Sequence, residues 1–182
     1  MIVELQQIYS LDEIDFDTLF SDSFTRIEQN FLWPAQNLTY EFKRDYYRRQ
    51  LESGISGTWP LKNDSDRFIM IITKVDGIIA EFAAGFLSAD RYLSLRWNLT
   101  SAATGNRNWR YTPEAQVARK QFMTLIGAIG VKEYTWVGSL LYKLHKQRSQ
   151  LGGYTLVETP IIRDPDPHPN HKLVELTITF NP

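Results

Sequence analysis

Two long apolar runs joined by Asp76-Gly77 constrain this chain most. Phe68-Ile69-Met70-Ile71-Ile72-Thr73-Lys74-Val75 is apolar and β-branched, and Ile78 to Leu87 returns with the same character. Asp-Gly accepts the positive φ angles of a tight hairpin turn, so the runs read as adjacent antiparallel strands. A third strand, Arg91 to Thr100, follows the weaker turn Ala89-Asp90 and completes a meander. No linker long enough to mark a boundary interrupts the 182 residues, so one domain is expected.

The flanks mix helices with strands. Residues 2–8 alternate loosely, as a strand does. Ser10 with Glu13 three residues on is a capping-box pattern, and Ile14, Leu19 and Phe20 follow at helical spacing. Trp33-Pro34 breaks that helix, and Thr39 opens a second, from Tyr40 to near Glu52. After the meander, Thr112-Pro113-Glu114 offers a cap, a first-position proline and an acid in the first turn. Ala115, Ala118, Phe122, Leu125, Ile126 and Ile129 then form one apolar stripe, with Gly130 as the expected C-terminal cap. Val131–Val137 reads as a strand and Leu140–Leu151 as a helix stopped by Gly152-Gly153. Tyr154–Ile162 and Lys172–Phe180 read as closing strands. The order is β-α-α-β-β-β-α-β-α-β-β. It predicts an α/β (α+β) fold: a mixed, mostly antiparallel sheet with helices on both faces.

Composition removes several function classes. Cysteine is absent, which excludes a disulfide framework, a cysteine–zinc site and a thiol nucleophile. Twenty Lys+Arg balance 21 Asp+Glu, so no bulk charge drives the chain to nucleic acid or an anionic membrane. Tyr46-Tyr47-Arg48-Arg49 and Asn106 to Arg110 do interleave aromatics with arginine, as stacking surfaces and protein-binding patches both do. No spanning segment or signal peptide is visible, and a cytoplasmic protein is expected. P-loop, dinucleotide and Gly-x-Ser-x-Gly patterns are missing. His168 and His171 beside Asp164 and Asp166 could hold a metal, but a polar turn is the expectation there, and no metal is expected.

This succession resembles the GCN5-related N-acetyltransferase (GNAT) family over nearly the whole chain. The resemblance rests on two helices after a short first strand, the Asp-Gly hairpin, a helix after the fourth strand, and a fourth helix before two closing strands. It implies acetyl-CoA as cofactor and acyl transfer to an amine, on a small molecule or a peptide, and it allows a homodimer. The family's phosphate loop is Gln/Arg-x-x-Gly-x-Gly/Ala, whose backbone N–H groups cradle the pyrophosphate. Here that interval holds one glycine, Gly105, and no such spacing. Arg107 and Arg110 could supply side-chain charge instead, with the start of the Thr112 helix; the alternative is a solvated basic loop with Trp109 packed beneath. Backbone near Leu99 and Thr100 would meet the pantetheine arm, where the fourth and fifth strands splay.

The resemblance also implies catalytic groups. Leu141-Tyr142-Lys143 matches half of the family's Leu-Tyr-x-x-x-Gly-Phe context, while Gly152-Gly153-Tyr154 follows about two turns late. Tyr142 is the candidate acid; otherwise it is an amphipathic rim residue. Glu81 stands alone among apolar residues and is the candidate base, since burial raises a carboxyl pKa toward neutrality. Alternatively it faces solvent or pairs with Arg91 or Arg96. The missing glycines also keep open a non-catalytic GNAT-like binding or assembly protein. The acceptor pocket would be built from the first two helices and the Arg163–Asn170 loop. Aromatic residues make up 13% of the chain and concentrate in those helices and the Trp109 loop, marking the groove between them as a ligand or partner site.

Overall fold

In the computed structural model, residues 1–31, 33–150, 153–162, 164, 170 and 172–181 are described. One seven-stranded sheet runs in the order β1-β2-β3-β4-β5-β7-β6. Its strands are β1 (Val3–Ile8), β2 (Arg67–Val75), β3 (Ile78–Leu87), β4 (Tyr92–Thr100), β5 (Gly130–Trp136), β6 (Tyr154–Pro160) and β7 (Leu173–Phe180). Four α-helices accompany it: α1 (Phe16–Asn30), α2 (Tyr40–Ser56), α3 (Pro113–Ile126) and α4 (Leu140–Gln150). The element order is the expected one. Every neighbouring pair is antiparallel except β4–β5. Asp76 and Gly77 have φ of 49° and 82°, the doubly left-handed turn that their sequence favours.

The two faces of the sheet carry different cores. Beneath α1 and α2 lies an aromatic cluster in which Phe20, Leu51, Phe82 and Leu99 are fully buried. Phe20 alone packs against Phe16, Phe24, Tyr40 and Tyr47. Beneath α3, Phe122, Met123 and Ile126 meet Ile69, Ile71, Leu93 and Val131.

Three boundaries differ from the expectation. The Ser10–Glu13 capping box forms, but it closes a one-turn 3-10 helix, Leu11–Glu13. The chain extends at Ile14, and Asp15 caps α1 by accepting from the Thr18 N–H. Helix α3 stops at Gly127, with φ of 80°, not at Gly130. Leu125, still within α3, is 83% exposed and Ile129 lies beyond the helix, so neither belongs to the buried stripe. Gly130 instead begins β5, where a Cβ would collide with the Ile178 carbonyl oxygen. Most of the 163–171 loop, with His168 and His171, lies outside the described residues, as do the acceptor and metal expectations placed on it.

A β-bulge in β4 decides which face of the sheet each of its side chains meets. Ala84 faces Trp97 but Gly85 faces Leu95, so Arg96 is the extra residue of β4. Only glycine fits opposite, because a Cβ at Gly85 would collide with the Ser94 carbonyl oxygen. The extra residue turns the strand over. Leu93 and Leu95 face α3, whereas Trp97 and Leu99 enter the α1/α2 core.

Candidate functional site

The β4–β5 ladder pairs only Tyr92–Leu95 with Gly130–Glu133. Beyond that last rung β4 runs on to Thr100, and β5 stays with β7 as far as Trp136. A fork opens between two parallel strands, and the edge of β4 inside it has no strand partner among the described residues. Its polar groups need other partners.

Helices α1 and α2 provide them. Ser23 and Arg26, three residues apart, lie on one face of α1. The Thr100 N–H donates to Ser23 Oγ at 2.7 Å, and that hydroxyl donates to the Thr100 carbonyl at 3.1 Å. Arg26 donates to the Asn98 carbonyl at 2.5 Å and to Asn98 Oδ1 at 3.0 Å. Tyr47 of α2 is hydrogen-bonded to the Asn98 backbone, and burial pushes its phenol pKa up. Burial likewise lowers the Arg26 pKa. Three side chains thus line the fork as a comb along β4. Leu99 points its side chain into the α1/α2 core and is paired with Phe82 of β3. The Thr100 hydroxyl is buried and has no hydrogen-bond partner among the described residues.

Glu81 of β3 lies opposite Thr100. Its carboxylate pairs with Arg110 at 2.8 Å and accepts from Asn98 Nδ2 at 2.6 Å. The isolated carboxylate expected from sequence is therefore part of an Arg26–Asn98–Glu81–Arg110 chain. Arg96 lies over the Tyr134 ring, and Arg91 donates to the Gly127 carbonyl. Arg110 is drawn inward, with its Nε buried and unpartnered among the described residues, while Arg107 is exposed. Trp109 does pack beneath the loop, at 5% exposure, with Arg110 and Arg119 over its ring. Thr112 caps α3: its hydroxyl accepts from the Ala115 N–H at 3.3 Å and donates to the Trp109 carbonyl at 2.7 Å.

Helix α4 points Tyr142 and His145 at different strands. The Tyr142 hydroxyl donates to Glu158 of β6 at 3.0 Å, and Lys146 bonds the same carboxylate at 2.7 Å. Lys146 and Tyr142 together hold Glu158 below the ordinary carboxylate pKa, the lysine first. That cluster sits over the outer edge strand of the sheet, with β5 and β7 between it and β4. One turn on, His145 turns toward β5 and hydrogen-bonds Glu133 through Nε2. The structure therefore brings Glu81, Thr100 and Arg110 together at the fork and leaves Tyr142 apart. Sequence reading missed Ser23, Arg26, Tyr47, Asn98, Glu133 and His145. A histidine four residues after Leu141, on the apolar stripe of α4, was the one signal available for the last.

No protein-family model matches the chain, and no curated protein matches its sequence. Solved structures do match. An acetyl transferase from Salmonella typhimurium that modifies the N-terminal serine of ribosomal protein L7/L12 aligns with TM-score 0.60 at 9% identity, over 100% of this chain and 96% of that one. The PaiA N-acetyltransferase of Thermoplasma acidophilum, in complex with coenzyme A, aligns with TM-score 0.51 at 11% identity, over 96% and 98%. RimL, an L7/L12 alpha-N-protein acetyltransferase, in complex with coenzyme A, gives 0.59 at 10%, over 99% and 94%. The chain has the fold of these acetyltransferases. No helix among the described residues is long and apolar enough to cross a membrane.

Proposed function

We propose that this chain binds an acyl-CoA in the β4–β5 fork and transfers the acyl group to an amine of a small molecule or a peptide. One observation carries the reading: the β4–β5 ladder ends at Leu95–Glu133 although β4 continues to Thr100. The residues around the opening fit the ligand. Thr100 offers a buried hydroxyl still wanting a partner, and Arg110 a buried Nε–H. Exposed Arg107 adds positive charge near Arg26 and Arg110, where phosphates would approach the Thr112 start of α3. The ligand would supply an activated acyl carbon and a sulfur leaving group. Glu81, placed beside Thr100 and paired as a carboxylate with Arg110, would take the proton of the incoming ammonium. The backbone at Leu99 and Thr100 would flank the pantetheine arm.

The test is a thermal shift with acetyl-CoA and with coenzyme A. At 100 times its dissociation constant, a ligand stabilises by about 2.7 kcal/mol. A shift that weakens in Arg107→Ala supports the reading; no shift at millimolar ligand removes it.

A second reading, a non-catalytic binding or assembly protein, is favoured by the comb. The Asn98 carbonyl and both polar groups of the Thr100 peptide are already bonded to α1. In that reading the fork is closed, and neither acetyl-CoA nor coenzyme A shifts the melting curve.

A further inference from the structure

On the α3/α4 face, a cavity of about 90 Å³ reaches the crotch of the fork, where Leu95 and Glu133, the last rung of the ladder, both line it. The sheet register sorts its walls by depth. Toward the open end stand Glu133 and, opposite Thr100 on β3, Glu81. Two residues back along β5, on the same face, Val131 lines the cavity beside Ile178 of β7, and Phe180 lies two residues deeper still. The helices repeat this order, each with a pair four residues apart on one face. Arg119 of α3 bonds the Arg110 carbonyl near the opening at 3.0 Å, and Met123 packs with Val131 below it. His145 of α4 meets Glu133, and Ser149, whose hydroxyl donates to the Lys146 carbonyl, lies one turn on. The Tyr154 ring closes the deep end against Phe180. The cavity therefore has a charged collar toward the fork and an apolar floor away from it. Among the described residues that line it, Arg119 is the one arginine or lysine, and it belongs to the collar.

We infer, on the acyl-CoA reading above, that the acyl group is a short uncharged aliphatic chain longer than acetyl, with Met123, Val131 and Ile178 setting its length. In that reading the phosphates meet the start of α3 and the pantetheine arm descends the β4 edge from Thr100. The thioester then arrives at the crotch, and the acyl tail continues onto the apolar floor. An apolar cavity of roughly 150 Å³ takes benzene, so in proportion about 90 Å³ takes about four carbons. Acetyl would leave much of that room empty, and the walls around a void lose their packing contacts. A tail ending in a carboxylate would be buried with no cation among the described residues of the floor, at a cost in desolvation. A much longer chain would meet the Tyr154–Phe180 pair.

The experiment needs no known acceptor. Coenzyme A and its acetyl, butanoyl, octanoyl and succinyl thioesters are titrated calorimetrically into the wild-type chain and Val131→Phe. Burying the extra methylenes of butanoyl should make it bind about tenfold tighter than acetyl-CoA. Octanoyl-CoA binds no better than butanoyl-CoA, and succinyl-CoA no better than acetyl-CoA. The larger ring in Val131→Phe fills the floor, so acetyl-CoA binds as it does to wild type and the butanoyl advantage disappears. Equal affinity of wild type for acetyl-CoA and butanoyl-CoA overturns the proposal. So does tightest binding of octanoyl-CoA or succinyl-CoA, or a butanoyl advantage that survives in folded Val131→Phe. If Val131→Phe does not fold, the wild-type series decides alone. Absence of binding by coenzyme A and every thioester removes the acyl-CoA reading itself, a result distinct from the others.

Discussion

The two faces of one sheet are built to opposite ends. Under α1 and α2, aromatic rings meet edge to face and leave Phe20 and Phe82 with no exposed surface. Under α3 and α4, a cavity walled by apolar residues such as Leu95, Met123 and Val131 also takes in two carboxylates, an arginine and a histidine. The first face contributes stability through burial and ring geometry. The second gives up packing for polar groups that have specific partners. The bulge at Arg96 joins them, because it sends Leu95 to the cavity side and Trp97 to the aromatic side of a single strand.

Substitutions should separate the faces. Phe20→Ala removes the centre of the ring cluster and should cost about 3–5 kcal/mol in urea unfolding. Gly85→Ala pushes a methyl into the Ser94 carbonyl at the bulge. Overpacking there should cost about 3 kcal/mol and flatten the fork, lowering coenzyme A affinity together with stability. Ser23→Ala leaves both polar groups of the Thr100 peptide without their partner. It should cost about 1–2 kcal/mol in the same unfolding assay. If the comb competes with the pantetheine arm, calorimetry should show coenzyme A binding tightened by the same change. Tyr142→Phe touches only the exposed Glu158 cluster and should move stability by no more than about 0.5 kcal/mol.

The pH dependence has a definite sign at one surface site. The Ser88 hydroxyl, with Lys132, holds Asp90 below its ordinary value. Its contribution is therefore complete above the ordinary carboxylate range and is lost as the pH falls through the lowered folded value. Asp90→Asn should reduce the acid-side slope of a stability–pH curve by lowering stability at neutral pH, and leave stability in strong acid little changed.

Element order, the Asp-Gly turn and the Thr112 cap were legible because each depends on neighbours in the chain. The capping box was legible too, but not the short length of the helix that it closes, which ends where the chain extends at Ile14. Leu125 matched the helical stripe and still faces solvent, because the face that α3 buries runs through Ala115, Phe122, Met123 and Ile126. The site was only half legible. Glu81 stood out as a lone charge, but its partner Arg110 lies across the fold, and Ser23 reaches Thr100 over 77 positions. Glu133 and His145 carry no motif, and the strand and helix that bring them together are set by tertiary packing.

Whether the fork holds a ligand is decided by backbone hydrogen exchange with and without coenzyme A. A ligand there should protect Asn98 and Thr100 of the β4 edge, the Arg107–Thr112 segment and α4, with the Phe20 region unchanged. Protection absent from β4, or confined to the α1/α2 surface, would contradict a ligand in the fork.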